Sequence, residues 1–309
     1  MSSSRTPRIR AHRSLREALV GALIATLLAA CGSGGGGSST SPTYAILSAF
    51  PAELAAVLAH TAVEQTTVVE GRTVRLGTLG GVRVVVAMTG IGVRNAALTT
   101  GIVLDHFAVD GVVVSGVAGS PYRIGDVVVP ERWAGADGVA YAADRAWVAL
   151  ARRGAAGGAA DLQRCTLVPS HSDQPVCLGF APAIIVGGAG TSSDTFGNTP
   201  FKCQPAGGDV FGCDVATPGA ALARRGTTGA AAPRRAAGAE PVSVDMETAA
   251  IAAAAAARGV PYIAFRAVSD GAEDPLELPG FPAQFFAYYP LAAHNAAAAA
   301  SGFLARLPR

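Results

Sequence analysis

Residues 242–270 read VSVDMETAAIAAAAAARGVPYIAFRAVSD. An apolar strand, Val242 to Val244, runs into the acidic pair of Val244-Asp245-Met246-Glu247-Thr248-Ala249. An alanine-rich helix follows from Glu247 to Arg258, then an apolar strand from Tyr262 to Arg266 that Ala267-Val268-Ser269-Asp270 closes. Continuous apolar strands joined to helices imply a largely parallel sheet covered on both faces. In such sheets ligands bind where strands end, because side chains there project into a crevice that the scaffold holds rigid. The carboxylates at these junctions are therefore candidates for chemistry.

The same alternation runs back to Thr43. Tyr44 to Ser48 reads as a strand, Pro51 to His60 as a short helix with proline at its start, and Gln65 to Thr78 with Val82 to Met88 as successive strands or a hairpin. Gly90-Ile91-Gly92 turns the chain into a helix ending near His106. Gly111 to Ser115 is a fully apolar strand followed by Gly116-Val117-Ala118-Gly119, and Asp126 to Pro130 and Ala183 to Gly187 are further strands. A long alanine-rich helix begins near Pro282, and Glu53 places a third acid just after the first strand. Half of the 309 residues are hydrophobic and 15% are charged, enough for one large domain with a substantial core. The 24 basic and 22 acidic residues give no bulk argument for nucleic acid.

The N-terminus reads as a secretion signal: Arg5, Arg8, Arg10, Arg13 and Arg16 form a basic region, and an apolar run from about Ala18 to Ala30 is too short for a comfortable membrane span. Leu28-Ala29-Ala30-Cys31 resembles the bacterial lipoprotein box. The expected organisation is a signal peptide over 1–30, a lipidated Cys31 with a Gly/Ser tether over 31–42, and a catalytic domain over 43–309. The protein is thus expected outside the cytoplasm, anchored to a membrane on the periplasmic side.

Export bears on the other four cysteines. Cys165, Cys177, Cys203 and Cys213 lie in irregular sequence, and an even number in an oxidising compartment points to two disulfides. Pairing Cys165 with Cys177 and Cys203 with Cys213 closes the shortest loops, although spacing alone leaves all three connectivities open. A zinc site is the alternative, but there is no CxxC, and His12, His60, His106, His171 and His294 show no ligand spacing.

Five motifs in order carry a family resemblance: Ala49-Phe50-Pro51-Ala52-Glu53-Leu54, Thr89-Gly90-Ile91-Gly92, Ser115-Gly116-Val117-Ala118-Gly119, Val244-Asp245-Met246-Glu247 and Val268-Ser269-Asp270. Their order and spacing resemble the nucleoside phosphorylase superfamily, and most of all its methylthioadenosine/S-adenosylhomocysteine nucleosidases. The resemblance spans Tyr44 to the C-terminus, interrupted by irregular insertions at about 162–181 and 202–240. It implies an α/β fold: a three-layer α/β/α sandwich around a mixed sheet, here with a cysteine-bearing insertion. It also implies assembly as homo-oligomers, a small-molecule purine nucleoside as substrate, and no cofactor or metal.

Carried over position by position, the resemblance makes Asp270 the acid that protonates the purine at N7, oriented by Ser269. That role needs a carboxyl still protonated near neutral pH, whereas an unperturbed Asp has a pKa of about 3.9. Glu247 is implied to grip the ribose 2′- and 3′-hydroxyls, which two carboxylate oxygens can accept side by side, with Met246 against the sugar. Glu53 is implied to be the base that activates water. Phe196 and Gly197 resemble the purine-stacking aromatic and a backbone that reads its edge. Ile91, Val117, Ala118 and Gly119 would line the site, Arg266 would face the ribose or phosphate side, and Phe281 would face the 5′ substituent, with Phe285 or Phe286 as alternatives. Two other activities remain open on the residues: phosphate-dependent phosphorolysis, and nucleoside binding without turnover.

Overall fold

Strand β1 (Thr43–Ser48) has no solvent face: Tyr44 through Ser48 are all buried, as expected of a strand paired on both edges in a covered sheet. Its neighbours, β4 (Val82–Met88) and β5 (Gly111–Arg123), both run parallel to it. The computed structural model describes residues 41–157, 160–168, 173–194, 199–215 and 241–308. The readings that fall on the leader, on Cys31 and its tether, on Phe196 and Gly197, and on 216–240 lie outside the described residues.

Helix α1 (Pro51–Leu58) follows β1 and leads to an antiparallel meander of β2 (Thr61–Val69), β3 (Arg72–Leu79) and β4. The stretch read as one strand from Gln65 is therefore two. The chain turns at Glu70 and Gly71, both at positive φ, the backbone that a tight two-residue hairpin demands. After α2 (Val93–His106) and β5 come β6 (Val127–Val129), β7 (Arg132–Ala134), β8 (Ala140–Ala142) and α3 (Arg145–Ala156). A small hairpin of β9 (Cys165–Thr166) and β10 (Val176–Cys177) precedes β11 (Ile184–Val186), β12 (Ala189–Ser192) and the short α4 (Gly208–Phe211). The last elements are β13 (Ser243–Asp245), α5 (Thr248–Ala256), β14 (Tyr262–Ala272) and α6 (Ala283–Leu304).

Twelve strands form one mixed sheet in the order β2-β3-β4-β1-β5-β13-β12-β7-β8, with β14 beside β5 and β6, and β11 beside β6. Helix α2 packs on α5, and α1 and α3 pack on α6, which gives the two outer layers of an α/β/α sandwich. Alanines such as Ala252, Ala255, Ala292 and Ala296 are wholly buried, so these helices approach the sheet closely and Ile46, Val113, Ile263 and Phe265 fill the core between the layers.

Two strands outrun their sequence reading. β5 does not stop at Ser115 but continues to Arg123, because β14 pairs with it through Gly119 and beyond, and Val244 of β13 meets Gly119 as well. Gly116-Val117-Ala118-Gly119, read as following the strand, is thus part of it. The four cysteines form the disulfides Cys165–Cys177 and Cys203–Cys213, which removes them as zinc ligands. Among the described residues no helix is long and apolar enough to cross a membrane, and no cluster of His, Cys, Asp or Glu could hold a metal ion.

Candidate active site

Five segments meet at one end of the sheet: the first turn of α1, the glycine turn before α2, the middle of β5, the end of β13 with the start of α5, and the end of β14. Glu53 occupies the first turn of α1, where a carboxylate favours the helix dipole and can reach back to free backbone amides. Its Oε2 accepts from Ala49 N at 2.6 Å and its Oε1 from Val117 N at 2.7 Å. The residue is 1% exposed. Burial pushes its carboxyl above the ordinary range, against the opposing pull of Arg266 and the two amides.

Arg266, also 1% exposed, reaches the same place from β14. Its Nη1 lies 3.7 Å from Glu53 Oε1 and donates to Val117 O at 3.3 Å. Its Nη2 lies 2.7 Å from Asp245 Oδ2 and 3.4 Å from Glu247 Oε2, and its Nε donates to Thr248 Oγ1 at 3.0 Å. Protein groups therefore engage all three guanidinium nitrogens. Glu247 stands at the N-cap position of α5 with its side chain turned away from the helix amides, and its Oε1 accepts from Gly92 N at 2.9 Å. Burial is the main force raising its pKa, to about 8; Arg266 opposes it, and Asp245 and Glu53 add to it.

Asp245, marked in the sequence as one of the acidic pair but given no role of its own, proves to be the hub. It accepts from the hydroxyls of Ser192 and Thr248, from the amides of Glu247 and Thr248 at 3.2 Å, and from Arg266. The amide bonds are the pattern of an Asp capping a helix start, the one signal in Asp245-Met246-Glu247-Thr248 that could have revealed it. Ser192, at the end of β12, carries no such signal. Its hydroxyl also accepts from Ala249 N at 2.9 Å.

Asp270 stands further along the same strand pair. In the β5–β14 register Arg266 faces Gly116 and Asp270 faces Gly119, an advance of about 10 Å at 3.3 Å per residue. Both glycines are forced by space: a Cβ on Gly116 would lie 2.3 Å from Arg266 Nη1 and 2.5 Å from Glu53 Oε1, and one on Gly119 would lie 2.6 Å from Asp270 Oδ2. The Ser269 hydroxyl donates to Asp270 Oδ1 at 2.7 Å. Burial raises the Asp270 pKa, and that hydrogen bond partly offsets the rise.

The remaining candidates divide. Val117 and Ala118 are buried in the wall of the site, and Ile91 and Met246 are half-buried beside it in sequence. Phe281 is 70% exposed and packs on Phe285, which meets Phe50 edge-on in front of α1. Beyond this aromatic group, Phe211, Leu276, Leu278, Phe286 and Tyr289 line a cavity of about 700 Å³ between α6 and the segment tied by Cys203–Cys213.

Three buried carboxylates thus surround one guanidinium, and a fourth carboxyl stands a few residues along the strand. The fold around them is that of the nucleoside phosphorylases. The chain belongs to the phosphorylase superfamily, whose family model matches residues 43–305. It is similar to the uncharacterized protein Rv2293c of Mycobacterium tuberculosis, 39% identical over 192 residues that cover 54% of this chain and 74% of that one. It is also similar to the 5′-methylthioadenosine/S-adenosylhomocysteine nucleosidase of Geobacillus kaustophilus, 38% identical over 90 residues, 28% of this chain and 38% of that one. Among solved structures, the corresponding nucleosidase of Neisseria meningitidis, in complex with methylthio-immucillin-A, superposes with a TM-score of 0.58 at 22% identity, covering 86% of this chain and 99% of that one. Futalosine hydrolase of Helicobacter pylori gives the same TM-score of 0.58 at 19% identity, with the same 86% and 99% coverage. These last two likenesses are of fold.

The shifted Glu247 makes a prediction of its own. A carboxyl whose folded pKa is raised binds its proton more tightly folded than unfolded. Its burial therefore costs nothing below the ordinary value of 4.5, and the cost grows as pH rises to about 8. In Glu247→Gln that cost is gone. Thermal melts should show the variant gaining on the wild type between about pH 5 and about pH 8.5, whatever fixed offset its amide introduces. A difference that does not move with pH would show that Glu247 is not the proton holder.

Proposed function

We propose that this protein hydrolyses the N-glycosidic bond of purine nucleosides, releasing free base and the ribose sugar. The observation that carries this reading is the buried Glu53 carboxylate, clamped by Ala49 N and Val117 N beside two further carboxylates that share a single arginine. An attacking phosphate would be repelled by the Glu53 charge, with Arg266 already engaged, whereas a neutral water meets a base. Each Glu53 oxygen keeps a second lone pair with which to hold that water.

The sugar lies against Glu247, whose carboxyl takes the ribose hydroxyls. The Glu53 carboxylate favours the oxocarbenium-like charge that grows as the bond breaks. Asp270 protonates the departing base. Burial keeps its proton available at a pH where an exposed Asp would have lost it. Glu53 takes a proton from the water as its oxygen closes on the anomeric carbon. The cavity past Phe50 and Tyr289, mostly apolar but with Asp209 in its lining, supports a nucleoside with an apolar 5′ group. By the same reading the enzyme works outside the cytoplasm, tethered through Cys31, where its two disulfides persist.

Chromatography of products from adenosine, inosine and methylthioadenosine, each with and without phosphate, tests the reading. Free base and free sugar are expected irrespective of phosphate. Strict phosphate dependence with ribose 1-phosphate would make the protein a phosphorylase, and bound nucleoside without product would make it a binding protein.

A further inference from the structure

The ladder of the strand that carries Asp270 is irregular on both sides of that residue. β14 follows β5 residue for residue from Tyr262 to Val268, and the register then shifts on both sides of Asp270. A bulge of this kind re-aims a side chain and leaves backbone groups in need of other partners. Gly271 N, the amide that follows Asp270, finds its partner in Gln284 Oε1 at 2.9 Å, in the first turn of α6. The other end of the same side chain, Nε2, donates to Asp274 Oδ2 at 3.2 Å and faces Leu278 O at 3.4 Å. Asp274 is fixed in turn by Leu276 N and Leu278 N, both at 2.8 Å, and by the Tyr288 hydroxyl.

The orientation of Gln284 follows from this chain of contacts. A carboxylate only accepts, so the Gln284 amide must turn its NH₂ toward Asp274 and its oxygen toward Gly271. Gln284 is 7% exposed and Tyr288 is fully buried, while Asp274 and Gly271 are half-buried, so the Gln284 side chain itself is largely shielded from water. The peptide between Asp270 and Gly271 is thereby pinned to α6 where its pairing with β5 is irregular.

We infer that Gln284, oriented by Asp274, is a positioning residue for Asp270: it sets the angle at which that acid meets the leaving base. The inference rests on the hydrolytic reading above. Misplacing a reacting group by about 1 Å costs about 100-fold. Gln284→Met should therefore lower kcat for the best purine nucleoside by about that factor, with KM changed less than about threefold.

A double-mutant cycle with Asp270→Asn separates positioning from general damage. Asp270→Asn alone should cost about 10²–10⁴-fold, and about 100-fold less than that once Gln284 is already Met, because the two act through one proton transfer. A second substrate, 4-nitrophenyl riboside, has a leaving group that needs no proton. Its hydrolysis by Gln284→Met should stay within about threefold of the wild type, which also reports that the variant is folded. Additive losses in the cycle, or equal losses on both substrates, would reduce Gln284 to a structural residue. Should Gln284→Met not fold, Asp274→Asn goes through the same cycle, and the same two outcomes decide. A wild type that releases no base from any nucleoside would overturn the hydrolytic reading instead.

Discussion

Asp270→Asn is expected to lower purine nucleoside hydrolysis by about 10²–10⁴-fold, the usual worth of a general acid, without lowering stability. The carboxamide is nearly isosteric and keeps an oxygen to accept from the Ser269 hydroxyl, 2.7 Å away in the wild type. It also removes a cost. Burial raises the Asp270 pKa, so the folded protein holds that proton more tightly than the unfolded chain, and stability contributed by the group is lost as pH rises through the raised value. The variant should melt no lower than the wild type at neutral pH and gain on it as pH increases. The catalytic profile carries the matching sign. Wild-type activity should fall as pH rises through the Asp270 pKa, since only the protonated acid can donate, and this alkaline limb should be absent from the residual activity of Asp270→Asn. Rate measurements across pH, with melting curves on the same samples, check both. An alkaline limb that survives in the variant would assign the proton to another group.

The three acids are legible in the sequence because each stands at a junction that periodicity marks: Glu53 after β1, Glu247 after β13, Asp270 at the end of β14. What binds them together is not legible. Ser192 lies 53 residues from Asp245, and Asn95, whose amide ties the turn before α2 to Phe201 O at 2.7 Å, lies 106 residues from that partner. Such contacts exist only once the sheet has formed. Arg266 illustrates the limit: as a charge at the end of an apolar strand it reads as a ligand for anions, yet the fold directs all its nitrogens into the protein. The same holds for β5. Gly116 and Gly119 suggest a loop by composition, but pairing with β14 keeps them extended, and they are glycines because Arg266, Glu53 and Asp270 occupy the space a side chain would need. Helix α3 escaped notice altogether, although Asp144 caps it by accepting from Trp147 N. The disulfide pairs were legible as the shortest loops, which demand little of the chain beyond a local turn.

Glu53→Gln is expected to lower hydrolysis by about 10²–10⁴-fold and to alter the response to phosphate. The wild-type carboxylate accepts one backbone amide on each oxygen, Ala49 N at 2.6 Å and Val117 N at 2.7 Å. A glutamine can offer its oxygen to only one of them and must turn its NH₂ on the other, at a cost to stability of about 1–3 kcal/mol. The rate loss should far exceed what this disturbance explains, so Glu53→Asp, which keeps the charge but shortens the reach, should lie between the variant and the wild type. The pH dependence identifies the base. Burial raises the Glu53 pKa, and only the ionised form can take a proton from water, so wild-type activity should fall as pH drops through a value above the ordinary carboxylate range. Glu53→Gln should lack that acid limb. Removing this one charge also weakens the repulsion of an anionic nucleophile, and the variant should become more responsive to added phosphate than the wild type. Full activity in Glu53→Gln would take the base role away from this residue. Retained phosphate-independent hydrolysis with an intact acid limb would point instead to Glu247, which also stands beside Arg266.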